Sequence, residues 1–228
     1  MSVLINPYAL APVAPAATRE YRALKTGPTV NASSYTITGC DVGSAAPGRY
    51  VVANLFMGSL NDRSFSAVTI GGAAARIVVQ RSWQYISAYY RAGIVIAPLD
   101  VGKTADIAVT LSGGSGSGAY TFAATYKTLG LQSNVEIDQD SSASTGGNPK
   151  DLFLDVQENG LLFSCCYLRR STSNYSYSGV TEDFESVVGT DFRVVGGSKE
   201  VTADATGYEV EVSSNGSFSG PMLAASFR

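Results

Sequence analysis

Histidine is absent from all 228 residues. That absence removes Ser-His-Asp and Cys-His activation of a nucleophile, and it removes every zinc site that needs an imidazole. Charge is scarce as well: only 15% of residues are charged and the net charge is −3. A chain of that balance is not an electrostatic binder of nucleic acid. No apolar run approaches the length of a membrane-spanning helix. Cysteine occurs three times, as Cys40, Cys165 and Cys166, too few and too odd a number for a disulfide framework. Adjacent Cys165 and Cys166 point to opposite faces of a strand. The expectation is one core thiol and one incidental thiol, the sharper alternative being a cross-link between subunits. Met1 to Pro15 is apolar but has no basic start, and Pro7, Pro12 and Pro15 interrupt it. A cleavable signal peptide is therefore not expected. Asn31-Ala-Ser33, Asn174-Tyr-Ser176 and Asn215-Gly-Ser217 fit the glycosylation pattern, but without such a signal they carry no weight.

What is abundant is glycine, at 24 residues, and tyrosine, at 13, together with serine and threonine. These favour sheets joined by tight turns. The stretch Tyr50–Met57 is a near-continuous apolar run suited to a central sandwich strand. Phe65, Val68 and Ile70 precede the turn signal Gly71-Gly72, and Arg76–Gln80 reads as the returning strand. Ile107, Val109 and Leu111 alternate with Ala108 and Thr110, and Phe122, Ala124 and Tyr126 recur at the same period of two.

The second half repeats the first. Ser64–Thr69 matches Ser176–Thr181 at an offset of 176 − 64 = 112, and Ile107–Ser112 matches Tyr208–Ser213 at 208 − 107 = 101. Phe122–Lys127 matches Leu223–Arg228 at the same 101, and Gly48–Met57 is placed against Gly160–Leu168. The fall in offset puts extra length in the first half, around Trp83–Arg91. The fold class expected is all-β, with two tandem related β-sandwich units, Ig-like or jelly-roll-like, behind an extended N-terminal arm. The alternative is that the halves supply the two sheets of one larger jelly roll. The boundaries read as an arm over 1–28, a first sandwich over 29–128, a connecting segment over 129–149 and a second sandwich over 150–228.

Few groups are left for chemistry. Glu182, Asp183 and Glu185 cluster, but neighbours on a strand face opposite ways, whereas a glycosidase needs two carboxyls facing across a cleft. Asp138 and Asp140 share one strand face and would offer oxygen ligands to calcium, yet no EF-hand loop surrounds them. The glycine pairs and the Ser115–Gly118 run are turns, not phosphate loops. A non-enzymatic chain without a cofactor is the expectation. Aromatic excess points to an interface instead: Trp83, Tyr85, Tyr89 and Tyr90 lie in the part of the first half that has no match in the second. Val3, Leu4, Ile5, Tyr8 and Leu10 of the arm are a second expected contact surface.

In style the chain resembles β-rich virion proteins of tailed bacteriophages. The residues that carry the likeness are Met1-Ser-Val-Leu-Ile-Asn-Pro-Tyr8, Gly48–Asn54, Ser66–Val79 and the closing Ala224–Arg228. The resemblance implies a head decoration, collar, tail or fibre protein, assembled in the host cytoplasm and located in the virion. Its partners would be other virion subunits and copies of itself, with a host-surface glycan as a further partner and neither nucleic acid nor membrane. The competing reading is a carbohydrate-binding or adhesin module that uses surface aromatics; a glycan-cleaving enzyme is the third.

Overall fold

The computed structural model describes residues 15–29, 32–113, 120–169, 175–189, 191–216 and 218–228. Among them the regular structure is all strand: β1 (Thr18–Thr26), β2 (Ser34–Asp41), β3 (Tyr50–Ser59), β4 (Ser64–Ile70), β5 (Ala73–Tyr85), β6 (Ala88–Pro98), β7 (Thr104–Ser112) and β8 (Thr121–Leu129) in the first half. The second half holds β9 (Glu136–Gly147), β10 (Lys150–Val156), β11 (Leu161–Arg169), β12 (Tyr175–Ser178), β13 (Thr181–Val188), β14 (Phe192–Glu200), β15 (Ala205–Ser214) and β16 (Phe218–Phe227). All pairings are antiparallel.

In the first half the hydrogen-bonded order is β1-β8-β3-β6-β5-β4-β7-β2. Strand β5 changes partner midway, from β4 at Ala73–Ala75 to β6 at Arg76–Tyr85. The ribbon thereby folds over, and β4-β7-β2 covers one face of β8-β3-β6. Between those layers lie Ile37, Val51, Leu55, Phe65, Val68, Ile107 and Val109. In the second half the orders are β13-β14-β11-β16-β9 and β10-β15-β12, with Leu152, Leu154, Leu162, Val195, Val210, Val212 and Met222 between them. Adding eight to each strand number of the first half reproduces the neighbours of the second.

The two large sheets then pack on each other. Val52, Phe56, Ile94, Phe122 and Tyr126 of one meet Leu161, Phe163, Tyr167, Val194 and Phe227 of the other in a single apolar cluster. The result is four layers with three apolar seams. This is why β3 and β11 read as continuous apolar runs: each is covered on both faces, and alternation survives only where one face meets water. It also corrects the expectation for the thiols. Cys165 faces the central seam and Cys166 the outer one, and Cys40 is buried too, so none of the three is placed for a cross-link.

Ion pairs close both flanks of the central seam. Arg19 of β1 reaches Asp183 of β13 at 3.3 Å, and Arg76 of β5 reaches Glu136 of β9 at 2.6 Å. On each flank the first strand of one half meets the fifth of the other, as in an isologous pair.

Two segments differ from the sequence boundaries. Residues 18–26, read as part of an arm, are strand β1 on the edge of the first large sheet, paired with β8. Residues 136–147, read as a crossing strand running into a polar connection, are strand throughout as β9, paired with β16. Both are edge strands, and edge strands carry little of the apolar alternation that marks a strand locally. The arm residues Val3, Leu4, Ile5, Tyr8 and Leu10 lie outside the described residues.

The register of the repeat is visible in side chains. Ser64 and Ser112 hydroxyls sit 2.7 Å apart, and so, at 2.8 Å, do Ser176 and Ser213. These are the residues matched at offsets 112 and 101, and the separations within each pair, 48 and 37, differ by 48 − 37 = 11. The Thr125 hydroxyl donates to Asp41 O at 2.5 Å and approaches Ala23 O at 3.4 Å; the Ser226 hydroxyl does the same to Asp155 O at 2.7 Å and Asp138 O at 3.4 Å. One alignment is corrected. Phe56 pairs with Phe122 and Cys165 with Leu223, so β3 maps onto β11 at 165 − 56 = 109 rather than 112. A shift of three residues would turn every side chain to the wrong face.

Candidate functional site

Cross-strand register builds an aromatic cluster at one end of the central seam. In the β5–β6 hairpin Trp83 lies opposite Tyr90 and Tyr85 opposite Ala88. Trp83, Tyr85 and Tyr90 share the face that looks toward the second half, while Tyr89 is on the other face of β6. Tyr90 stacks on Phe192 of β14, with ring centroids 4.1 Å apart, and stands 5.1 Å from the Tyr167 ring of β11. Trp83 stacks on Tyr85 at 5.5 Å and 11°. The Arg169 guanidinium caps Tyr85 from above, 3.8 Å from the ring centre.

This placement divides the four aromatics expected at an interface. Trp83 is only 7% exposed; it is a buried residue packed against Tyr85 and Tyr90 of its own hairpin. Tyr85, Tyr89 and Tyr90 are half-buried. Trp83 lines an open, polar cavity beside Arg81 and Arg91, while Tyr90 lines a more enclosed one at the mouth of the central seam.

That cavity has a volume of about 300 Å³ and opens where the central seam reaches the surface. Gly58, Ser59 and Tyr120 come from the first half with Tyr90, and Tyr167 and Phe192 come from the second. Neither half would form it alone, which fits the general preference of pockets for junctions between packed units. Gly58 keeps it open: a Cβ there would stand 3.4 Å from the Tyr167 hydroxyl and 3.4 Å from the Tyr90 ring. Tyr167 is 1% exposed, and its hydroxyl has no hydrogen-bond partner among the described residues. Burial pushes the phenol of Tyr167 up, and that of Tyr90 as well, so both stay neutral donors. Among the described residues no carboxylate, lysine or arginine lines the cavity. At its rim Tyr120 is 58% and Leu60 51% exposed.

The other sequence candidates are engaged elsewhere. Asp183 accepts from the Ser198 hydroxyl and pairs with Arg19, with burial raising its pKa against both. Burial also raises Glu182, with the Asp183 charge adding to it, and Glu185 pairs with Arg193. The oxygens of Asp138 and Asp140 accept backbone N–H groups, including those of Asp155 at 2.9 Å and Phe153 at 3.2 Å on β10. They fasten β9 to β10, which accounts for the acid pair without calcium. Asp151, Glu209 and Glu211 bring one oxygen each within 4.8 Å on the outer face; exposed acids gather this way without a metal, and nothing further points to one.

Tyr120, Tyr167, Phe192 and Gly58 went unread in the sequence. Tyr167 sits inside an apolar run, and its one polar atom was the signal available. Phe192 and Gly58 gave none, since their role arises from contacts across the seam. A scan against protein-family models finds no match to this chain, and neither does a search of curated proteins or of solved structures.

Proposed function

We propose that this chain is a non-enzymatic structural component of a tailed-phage virion, made of two tandem related jelly-roll units and docked through the segment that precedes β1. The observation that carries the proposal is the four-layer stack. Both large sheets are covered on both faces, so the halves form one stiff body without a hinge, as a particle component that holds position needs. The paired hydroxyl ties at Thr125 and Ser226 support descent of both halves from one unit. Jelly rolls build many capsid and lectin domains; that is an analogy of fold, added to the likeness of sequence, and function rests on the site.

The test is mass spectrometry of purified particles made by cells that carry this sequence. The chain should be present at a fixed copy number, and a variant lacking residues 1–14 should fold but fail to incorporate. The cut stops there because β1 is part of the first sheet; removing residues 1–28 would strip its edge. A full-length chain found free in the lysate and missing from particles would overturn the proposal.

A second reading, recognition of a glycan, is favoured by one observation: the neutral aromatic cavity with its unpaired Tyr167 hydroxyl.

A further inference from the structure

We infer that the cavity at the mouth of the central seam receives a single neutral pyranose ring of a glycan, an inference that rests on the second reading above. Four features of the site select that chemistry. The volume of about 300 Å³ admits one sugar ring with its substituents and leaves little room for a chain of them. The described lining carries no formal charge, which disfavours acidic sugars, phosphates and ammonium groups, because a buried charge without a partner is expensive. The exposed ring of Tyr120 at the rim offers a face to the apolar C–H side of a pyranose.

The fourth feature is the Tyr167 hydroxyl. It is buried at the wall of the cavity, 3.4 Å from where a Cβ on Gly58 would stand, and lacks a partner among the described residues. A buried hydroxyl left unpaired costs free energy that a ligand hydroxyl would recover. A purely apolar occupant, such as a leucine side chain from another protein, would leave that cost in place. A sugar satisfies the rings and the hydroxyl together. The aromatic residues behind the cavity make the site rigid: Tyr90 is held between Phe192 and Trp83, so little ordering is needed on binding.

Trp83 is the only tryptophan in the chain and stands 6.0 Å from Tyr90, so its fluorescence reports on the site. The full chain is titrated with methyl glycosides of neutral hexoses and of N-acetylhexosamines, and with sialic acid as the charged comparison. The expected result is saturable binding of at least one neutral sugar in the millimolar range and none of sialic acid. Tyr120→Ala should weaken it about tenfold or more, equivalent to roughly 1.4 kcal/mol. Tyr167→Phe, which keeps the ring and loses the hydroxyl, should weaken it several-fold, and Tyr89→Ala, on the other face of β6, should leave it unchanged. Melting curves of the three variants should match the parent within a few degrees. Absence of saturable binding to every neutral sugar, preference for sialic acid, or indifference to both Tyr120→Ala and Tyr167→Phe would overturn the inference. A chain that is found in particles but binds no sugar sinks this inference alone. A chain that binds sugar but is missing from particles sinks only the virion proposal.

Discussion

The two halves wind their strands in the same order and fasten them with different chemistry. In the first half Arg22 of β1 grips Asp41 of β2 with two hydrogen bonds, at 3.2 and 2.9 Å. In the second half the equivalent first and second strands are joined by Asp138 and Asp140, which accept backbone N–H groups of β10. The buried cations differ too. Arg49 sits wholly inside the first half and donates to carbonyls of Leu99, Gly43, Ser44, Val101 and Gly102, pinning two loops together. Lys150 is buried in the second half and donates to Gly220 O at 2.7 Å. What the halves share is the side-chain period of each strand and the hydroxyl ties between layers. The wind therefore depends on which face each residue takes, and the edge fastenings are free to change.

Substitutions sharpen that comparison, beginning with the layer the halves have in common. Phe163→Ala opens the centre of the shared seam, between Tyr126 and Phe227. It should cost about 3–5 kcal/mol and lower one unfolding transition of the whole chain. Ile107→Val, in the outer seam of the first half, should cost only about 0.5–1.5 kcal/mol. Two separate transitions in denaturant melts of the Phe163 variant would show that the halves stand independently.

Next come the buried cations. Arg49→Met leaves several inward carbonyls without a donor and should cost about 3 kcal/mol or more, at roughly 1–3 kcal/mol for each buried group left unpaired. Lys150→Met removes a charge whose pKa burial lowers; replacing a buried ion by an apolar side chain of similar size should fall within about 1 kcal/mol of the parent or above it. Urea midpoints decide both, and an equal loss from the two variants would erase the distinction.

Acid should act with opposite sign at two aspartates. The hydrogen bonds from Arg22 hold Asp41 below its ordinary 3.8. Its contribution is present above 3.8 and is lost as pH falls through the lowered value. Burial holds Asp183 above 3.8, so its contribution is present below 3.8 and is lost as pH rises through the raised value. Stability against pH should thus become flatter at the acid end in Asp41→Asn, and flatter just above 3.8 in Asp183→Asn. Identical pH profiles for the two variants would contradict this assignment.

The smallest expected effect is at the β5–β6 turn, which the shorter second half lacks in this form. Ile86 has φ of 54° and is 78% exposed. A β-branched residue in the left-handed region costs roughly 1–2 kcal/mol. Ile86→Gly should therefore raise the melting temperature slightly, by an amount worth up to about 1 kcal/mol once the entropy of glycine is set against it.

Much of this was legible in the chain because strand period and repeat are local properties. The all-β class follows from alternation in Ile107–Leu111 and Phe122–Tyr126, and the residues matched at Ser64 and Ser112 meet through their hydroxyls as those at Ser176 and Ser213 do. The edge strands were legible only in part: a crossing strand was readable near Glu136, but neither its length nor β1 was. Thr18–Thr26 carries Arg19, Glu20, Arg22 and Lys25, and Glu136–Gly147 is mostly acid, serine and glycine; both are strands through their partners. The site was half legible. The Trp83–Tyr90 segment marked the right end of the molecule, but the cavity exists only once Tyr167 and Phe192, 167 − 90 = 77 and 192 − 90 = 102 positions beyond Tyr90, are laid beside it.

Strand β1 runs antiparallel to β8, with Thr18 beside Leu129 and Thr26 beside Phe122. The cavity lies at the end where β8 begins, next to Tyr120. Thr18 therefore sits at the pole opposite the cavity, about 30 Å away at roughly 3.3 Å per residue over nine residues. Anything that holds the body at Thr18 would leave its aromatic mouth facing outward, at the far pole.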